Sequence, residues 1–285
     1  MCRFVFYRGR PLRVSALLTE PSHSLIHQSF QCEEREEPLN GDGFGLAWYV
    51  DGIDEPGLFR SVTPAWSNTN LRELARVTTS TCIMAHVRAA SRQLEVSEVS
   101  CHPFKFGPWS FMHNGEIGGF KRIRRPLLDS LSDAAFHAIR GTTDSEHLFA
   151  LFIDELIAAG SAATGPAAAN ALEAAIRRVV DLVDRHAAGE PSYLNIAVSN
   201  GRVAVACRVT TDSPEHADSL YISQGRRYVC DGDVCRMLDA DEAGSAVLIS
   251  SERLSDDGAW QTMAVGDIVI VTPDLGIEQR SASLG

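Results

Sequence analysis

Cys2 has the clearest chemical potential in the chain, because it lies directly behind the initiator Met1. We expect Met1 to be removed before so small a residue, which would leave a thiol and a free α-amino group on Cys2. A thiol titrates near ~8.5 and an α-amine near ~7.7–8.0, so the amine can act as a base near neutral pH. Thiolate is the nucleophilic form of cysteine, and an N-terminal amine can activate it. Cys2 is therefore a candidate nucleophile.

Other polar residues follow segments that are typical of strands. The segment 81–88 is rich in β-favouring residues, ends in Arg88 and runs into the small residues Ala89-Ala90-Ser91. The segment 109–112 is a second predicted strand, and His113-Asn114-Gly115-Glu116 follows it. Asn-Gly is also a common hairpin turn, so a purely structural interpretation of these two residues stays open.

A predicted helix carries another candidate at its start. Thr143 and Glu146 have the spacing of a capping box, and the helix is predicted to continue to Ala159. Asp144 lies in its first turn, where the helix dipole favours an acid. Asp144 is therefore either a binding residue or simply a stabilising first-turn acid.

The elements that must position these residues are predicted from periodicity. The apolar run 4–7 is typical of a short buried strand, and a terminus locked into a sheet is ordered. Helices are predicted over 68–76, 133–139 and about 166–188, the last with a buried stripe of Leu172, Ile176, Val179 and Val183. Strands are predicted over 195–198, 203–209, 221–223, 246–250 and 267–271, the first two forming a hairpin across Asn200-Gly201.

Some segments are expected to lack regular structure. Residues 12–29 mix polar and apolar types around Pro21, and the basic run 121–125 is expected to be a solvated loop. The chain shows no repeat and no Pro/Ser-rich linker, so a single domain over residues 1–285 is expected. The mixture of helices and strands indicates the α+β class.

Composition excludes several classes of function. A formal net charge of −11 argues against a nucleic-acid groove or an anionic membrane surface as partner. No apolar stretch approaches the ~18 residues of a membrane span, and the N-terminus does not resemble a signal peptide. The seven cysteines are odd in number and irregularly spaced, which suits unpaired thiols in a cytoplasmic protein. Cys230 and Cys235 do not match a zinc spacing, and neither a metal nor a cofactor is expected.

A glycine-rich loop precedes another predicted strand, 46–50. Glycines at 41, 43 and 45 suggest a tight backbone that another group approaches closely. Because a strand rather than a helix follows, the loop is not a dinucleotide-binding fingerprint.

Taken together, the motifs occur in the order Met1-Cys2, Asn40-Gly41-Asp42-Gly43-Phe44-Gly45, Ala85-His86-Val87-Arg88-Ala89-Ala90-Ser91, His113-Asn114-Gly115-Glu116 and Gly141-Thr142-Thr143-Asp144-Ser145-Glu146. This set resembles the class II glutamine amidotransferases, which are N-terminal-nucleophile hydrolases. The resemblance covers at least residues 1–150. It implies a four-layer αββα sandwich with antiparallel sheets. It also implies an enzyme that hydrolyses a γ-glutamyl amide, either glutamine or a γ-glutamyl compound, through a Cys2 thioester.

The resemblance also implies a role for each matching residue. Cys2 is the nucleophile, and its own α-amine is the base, acting through a water. Arg88 and Ser91 hold the α-carboxylate of the substrate, for which the forked guanidinium of arginine is well suited. Asp144 pairs with the α-ammonium. The two oxyanion-hole donors are the Asn114 side chain and the Gly115 N–H.

Two departures from the family pattern affect what can be expected. Asn40 stands where many members have arginine, and Ala89 stands where many have tryptophan, which leaves room for a leaving group larger than ammonia. The motifs are most similar to stand-alone members, such as the amidotransferase-like subunit of a cytosolic glutathione-degrading complex and the γ-glutamyl hydrolase of ergothioneine synthesis. A separate synthase or peptidase partner chain and a homo-oligomer are both compatible with this resemblance.

Competing interpretations remain open from the sequence alone. The chain could be a weakly active or inactive subunit that keeps the fold and binds a partner enzyme. It could also be a general cysteine hydrolase that uses a Cys/His pair, which requires His86 or His102 near Cys2.

Overall fold

The computed structural model describes residues 2–34, 39–89, 96–160, 163–232, 234–238 and 246–283. The strands are β1 (Arg3–Arg13), β2 (Phe44–Trp48), β3 (Gly57–Ser61), β4 (Thr79–Val87), β5 (Phe104–Phe106), β6 (Trp109–Glu116), β7 (Tyr193–Ser199), β8 (Ala204–Thr210), β9 (Tyr221–Gly225), β10 (Arg227–Asp231), β11 (Val234–Leu238), β12 (Ala246–Ser250), β13 (Trp260–Thr262), β14 (Asp267–Val271) and β15 (Ile277–Ser281). The helices are α1 (Ser15–Leu18), α2 (Leu25–Gln28), α3 (Thr69–Val77), α4 (Phe120–Asp129), α5 (Asp133–Ala138), α6 (Asp144–Ala158) and α7 (Gly165–His186).

Two antiparallel sheets form the centre of the molecule. One has seven strands in the order β13-β9-β12-β1-β4-β2-β3, and the other has six in the order β15-β14-β8-β7-β6-β5. The strands β10 and β11 form a separate two-stranded hairpin. The first strand of the chain therefore lies in the middle of the larger sheet, with β12 and β4 on either side.

Apolar side chains define four layers. Helices α1, α2 and α3 pack against the outer face of the seven-stranded sheet, and α4, α6 and α7 pack against the outer face of the six-stranded sheet. A third apolar cluster fills the space between the two sheets. The predicted α+β class and αββα sandwich are confirmed. Within the described ranges, no helix combines the length and apolar surface that crossing a bilayer requires.

Residues 4–7 of β1 are continuously apolar because both faces of the strand are covered there. Phe4 and Phe6 point into the space between the sheets, while Val5 and Tyr7 point toward the helices. Successive side chains of a strand alternate between faces, so a strand buried on both sides has a continuous apolar sequence. This covering fixes the start of the chain inside the fold.

Several predicted elements are confirmed with small shifts in their bounds. Strands β12 and β14 have the predicted limits, and β7 and β8 form the predicted antiparallel hairpin. Helix α7 buries all members of the predicted stripe, Leu172, Ile176, Val179 and Val183.

Two expected loops are wrong. Within residues 12–29, β1 extends to Arg13 and is followed by the short helices α1 and α2. The basic run 121–125 lies in α4 rather than in a loop. Ile123 and Leu127 of that helix are buried, whereas its basic side chains are exposed or half-buried. Apolar residues four positions apart share one helix face, so two of them are enough to attach this basic helix to the core.

The expectation of unpaired thiols at Cys230 and Cys235 is also wrong. These residues lie directly opposite each other in the β10–β11 hairpin and form a disulfide. Their separation in sequence gives no sign of this pairing, because it depends on the register of a hairpin that the sequence reading did not predict.

Candidate active site

Strand register brings Cys2 beside Arg88. Arg3 of β1 pairs with Val87 of antiparallel β4, so the residues just beyond these partners lie side by side at one end of the sheet. The N–H of Ala89 donates to the Cys2 sulfur at 3.4 Å, and the sulfur lies 3.6 Å from the Ala89 carbonyl oxygen. The candidate nucleophile is thus held by the backbone that directly follows Arg88.

The alternation of side chains directs this pair into the space between the sheets. In β1, Phe4 and Phe6 face the other sheet, and Cys2 continues the same alternation. In β4, Met84 faces the other sheet, and Arg88 lies four residues further along the same face. The two residues therefore reach the edge of the inter-sheet space together.

Arg88 is buried and tied to the glycine-rich loop. Its N–H donates to the Gly43 carbonyl at 2.8 Å, and its own carbonyl accepts from the Asp42 N–H at 3.1 Å. The side-chain Nη1 is buried and has no hydrogen-bond partner among the described residues. A buried donor without a partner is rare and calls for a ligand or a water. An arginine in this state can bind a carboxylate.

Asn114 and Gly115 belong to the other sheet and follow His113, whose carbonyl oxygen lies 3.2 Å from Nε2 of His86 in β4. Both lie within β6, where they pair with Asn195 and Leu194 of β7, so the hairpin-turn interpretation is wrong. Asn114 follows Met112 on the inter-sheet face and is buried, and its Oδ1 has no partner within the described part of the chain. Gly115 has φ of +147°, and a Cβ on it would overlap the Tyr193 carbonyl oxygen. Glycine is therefore required at this position.

Asp144 is the first residue of α6 and connects that helix to the end of β6. Its Oδ2 accepts from the Ile117 N–H at 2.9 Å, and its Oδ1 accepts from the Ser145 N–H at 2.8 Å. Both bonds use backbone donors that would otherwise need water. Asp144 is half-buried, so part of its side chain stays accessible beside the end of β6.

The predicted capping box is present in one direction only. Thr143 accepts from the Glu146 N–H at 3.2 Å, as expected. Glu146 does not return a bond to Thr143; its carboxylate accepts from the N–H groups of Arg140 and Gly141, at 3.0 and 2.6 Å. Glu146 thereby holds the loop that leads into Asp144.

The buried histidines do not pair with Cys2. His86 and His102 stack with ring centroids 4.3 Å apart, and Nε2 of His86 lies 3.2 Å from the His113 carbonyl oxygen of the other sheet. Burial lowers the pKa of His86 to about 3 and that of His102 well below its ordinary value. Across the described ranges, the hydrogen bonds of the Cys2 sulfur involve only Ala89. The structure therefore gives no support to a Cys/His pair.

The surroundings of Cys2 affect its reactivity in opposite directions. Burial raises the pKa of its thiol above the ordinary value. The hydrogen bond from Ala89 and the positive charges of Arg88 and Arg3 lower this pKa, but by less. A thiol in this state needs a base to form thiolate near neutral pH.

Two further sequence predictions concern the margin of the site. Ser91 lies outside the described residues. Asn40 is buried, its N–H donates to the Ser29 carbonyl at 2.8 Å, and its Oδ1 has no partner within the described segments. Where the chain is described, no group of three or more His, Cys, Asp or Glu side chains is arranged to hold a metal ion.

Comparison with known proteins identifies the family. A family model for class II glutamine amidotransferases matches residues 16–276, which is most of the chain. The chain belongs to the class II glutamine amidotransferases. It is therefore an enzyme of this class, as the motifs predicted.

Relatives within this family include proteins from yeast and mycobacteria. The chain is 39% identical over 293 residues to the probable glutamine amidotransferase DUG3 of Saccharomyces cerevisiae, covering 95% of this chain and 82% of that protein. It is 31% identical over 139 residues to a γ-glutamyl-hercynylcysteine sulfoxide hydrolase of Mycobacterium tuberculosis, covering 48% of this chain and 59% of that protein.

Solved structures of amidotransferases share the fold. A glutamine aminotransferase class-II domain protein from Silicibacter pomeroyi has a TM-score of 0.68 at 27% identity, covering 99% of this chain and all of that one. Glutamine phosphoribosylpyrophosphate amidotransferase from B. subtilis has a TM-score of 0.61 at 13% identity, covering all of this chain and 50% of that one. At that identity the second likeness concerns the fold alone.

Proposed function

We propose that this amidotransferase hydrolyses a γ-glutamyl amide through a γ-glutamyl thioester on Cys2. The observation that carries the proposal is the position of the Cys2 sulfur, bonded to Ala89 at the end of β1 directly beside the buried Arg88. Removal of Met1 frees the α-amine of Cys2, which then takes the thiol proton. Because burial raises the pKa of the thiol, this base is needed to form thiolate near neutral pH.

The head group of the substrate is bound by charge. Arg88 offers to the α-carboxylate an Nη1 that has no partner among the described residues, and a bidentate arginine–carboxylate pair fixes orientation as well as position. Asp144 offers the accessible part of its carboxylate to the α-ammonium. Ser91 is the additional hydroxyl that the family pattern places beside the arginine. Binding both charged groups aligns the γ-carbonyl with the Cys2 sulfur.

The reaction then follows in two halves. The thiolate attacks the γ-carbonyl carbon, and the side-chain amide of Asn114 and the N–H of Gly115 stabilise the oxyanion. Loss of one such donor costs about 10²–10³ in rate. The C–N bond breaks, and the leaving amine takes the proton held by the α-amine. Water attacks the thioester, releases glutamate and restores the thiol.

The leaving group is proposed to be larger than ammonia. Ala89 stands where many class II members carry tryptophan, and an alanine side chain leaves space on that side of Cys2. The mycobacterial relatives are named as hydrolases of a γ-glutamyl compound, which supports this substrate class. We therefore place γ-glutamyl compounds ahead of glutamine as substrates.

The test measures glutamate release from glutamine, glutathione and other γ-glutamyl compounds by protein whose intact mass shows Met1 removed. We expect release from at least one γ-glutamyl compound, with about a 10⁴-fold or larger loss in Cys2→Ala, as when a catalytic nucleophile is removed. Full activity in Cys2→Ala would contradict the proposal. Absence of release from every substrate would favour the alternative, a subunit that keeps the fold and binds a partner enzyme.

A further inference from the structure

The residue next to Cys2 carries a buried charge that touches the Cys2 backbone. Arg3 is 3% exposed and opens strand β1. Its Nη1 donates to the Cys2 carbonyl oxygen at 2.9 Å, and its Nε donates to Oε1 of Glu252 at 2.7 Å. One guanidinium therefore connects the proposed nucleophile to a carboxylate from the other end of the chain.

Glu252 is itself held from several directions. Its Oε2 lies 2.7 Å from Nε2 of His23 and accepts from the Glu33 N–H at 2.9 Å. Burial would raise the pKa of this carboxyl, but the hydrogen bonds from His23, Glu33 and Arg3 outweigh it and lower the pKa to about 2. Glu252 is thus a charged and immobile anchor for the Arg3 guanidinium.

The backbone around this pair is fixed as well. The Phe4 N–H donates to Oγ of Ser251 at 3.0 Å, and the Ser251 N–H donates to the Phe4 carbonyl at 3.0 Å. Residues 3–4 and 251–252 therefore hold each other through both backbone and side chains. The Cys2 carbonyl immediately precedes residue 3, and the hydrogen bond from the Arg3 guanidinium fixes its position as well.

Fixing the Cys2 carbonyl has a consequence that is special to an N-terminal residue. A peptide unit is planar, so the position of the carbonyl oxygen fixes the plane between Cys2 and Arg3. Once Met1 is removed, no peptide plane precedes Cys2. The angle ψ is then the only backbone dihedral that aims both the thiol and the α-amine.

A buried ion pair does not by itself indicate a stabilising role. Replacing such a pair with apolar residues is often neutral for stability, so Arg3 and Glu252 are not explained by folding energy alone. Their geometry offers another reason, because the guanidinium spans a fixed carboxylate and the carbonyl of the proposed nucleophile.

We propose that Arg3, anchored by Glu252, is a positioning residue that sets ψ of Cys2 and so aims its thiol and amine at the substrate carbonyl. This inference rests on the proposed function of Cys2. It assigns to Arg3 an effect on the chemical step and none on the binding of the head group, which Arg88 and Asp144 perform.

The test compares Arg3→Met and Arg3→Lys with Arg178→Met as a matched control. Arg178 also pairs with carboxylates, those of Asp154 and Glu155, but it lies in the outer helical layer. We expect Arg3→Met to lower kcat about 10- to 100-fold with KM within about twofold, the size expected for a small misalignment of reacting groups. Arg3→Lys should recover part of kcat, because an ammonium can still donate to the Cys2 carbonyl. Arg178→Met should change neither constant.

Two results would overturn the inference. One is a folded Arg3→Met enzyme whose kcat stays within about twofold of the natural protein, and the other is a loss that appears in KM alone. If Arg3→Met does not fold, Glu252→Gln tests the inference instead, because glutamine keeps the shape of the Glu252 side chain but removes the charge that holds the Arg3 guanidinium. It should lower kcat, and an unchanged kcat would overturn the inference.

Failure of the proposed function is distinguishable from failure of this inference. If the natural protein releases no glutamate from any γ-glutamyl compound, the proposed function fails. The rate at which iodoacetamide alkylates Cys2, read by peptide mass spectrometry, then still tests positioning. A rate that differs between Arg3→Met and the natural protein, with Arg178→Met unchanged, supports the inference, and equal rates in all three overturn it.

Discussion

At the scale of single residues, Cys2 and Arg88 come together through strand register rather than through any local property of either residue. The β1–β4 pairing places Arg3 opposite Val87, and the two functional candidates follow from that one contact. The residue types were informative in the sequence, because the order of the motifs made Cys2, Arg88, Asn114 and Asp144 candidates. Their arrangement in space requires the paired strands.

The buried ion pair that lies beside the candidate nucleophile could not be predicted from the sequence. Arg3 is visible only as a basic residue in an apolar segment, and Glu252 only as an acid after a strand. The contacts of Glu252 with Arg3 and with His23 join three distant segments of the chain. A charged residue at the start of an apolar segment, such as Arg3, is the one sequence feature that could have suggested a buried partner of opposite charge.

One prediction at this scale concerns Gly115. Gly115→Ala should lower the free energy of unfolding by roughly 2–5 kcal/mol, combining a backbone penalty with an overlap in a packed region. The backbone penalty arises from the φ of +147°, and the overlap is with the Tyr193 carbonyl. Relief of that overlap would separate β6 from β7 beside Asn114, so glutamate release should fall too. Urea unfolding and the activity assay measure the two effects.

Gly189→Ala is the matched control for this change. Gly189 also has a positive φ, +84°, but nothing lies within 4 Å of where its Cβ would be. The free energy of unfolding of Gly189→Ala should fall by the backbone penalty alone, about 1–2 kcal/mol. Equal losses in the two variants would contradict the importance of the overlap with Tyr193.

Among the elements, a long helix with a periodic apolar stripe and strands that are continuous apolar runs could be predicted, whereas the shortest helices could not. Helix α7 has 22 residues with such a stripe, strands β12 and β14 are apolar runs, and the predicted bounds of all three are close to the observed ones. Helices α1 and α2 have four residues each, too few for a period to show. The β10–β11 hairpin and its disulfide were missed because hairpin register is set by pairing, which composition does not reveal.

The stacked histidines of β4 and the following loop lead to a prediction on pH. His86 and His102 are buried and uncharged in the folded state at neutral pH, whereas an unfolded histidine titrates near ~6.5. Their lowered pKa values give stability that is complete above about pH 6.5 and is lost as pH falls, because protons then favour the unfolded chain. Each histidine should contribute up to about 1.4 kcal/mol per pH unit.

His102→Phe tests this prediction by urea unfolding between about pH 6.5 and 5, above the range where carboxylates dominate. Both ring nitrogens of His102 lack partners within the described ranges, so phenylalanine loses no hydrogen bond and can keep the stack on His86. The variant should lose stability less steeply on acidification. An unchanged slope in His102→Phe would contradict the buried neutral state.

At the scale of the whole molecule, the candidate site lies where the two sheets meet at one end of the sandwich. Of the candidate residues, Cys2 and Arg88 lie next to the ends of β1 and β4 in the larger sheet, Asn114 and Gly115 lie in β6 of the smaller sheet, and Asp144 begins α6. Periodicity predicted strands and helices but not the order of the layers. The layered fold was predicted through resemblance to a family, because several motifs in a fixed order carry information that no single element contains.

Labelling with a glutamine-mimicking electrophile, followed by peptide mass spectrometry, shows whether Cys2 is the nucleophile. We expect one adduct, on Cys2 of protein that has lost Met1, and protection by an excess of a γ-glutamyl substrate. An adduct on Cys32, Cys101 or another residue, with Cys2 unmodified and γ-glutamyl hydrolysis abolished, would contradict this role of Cys2.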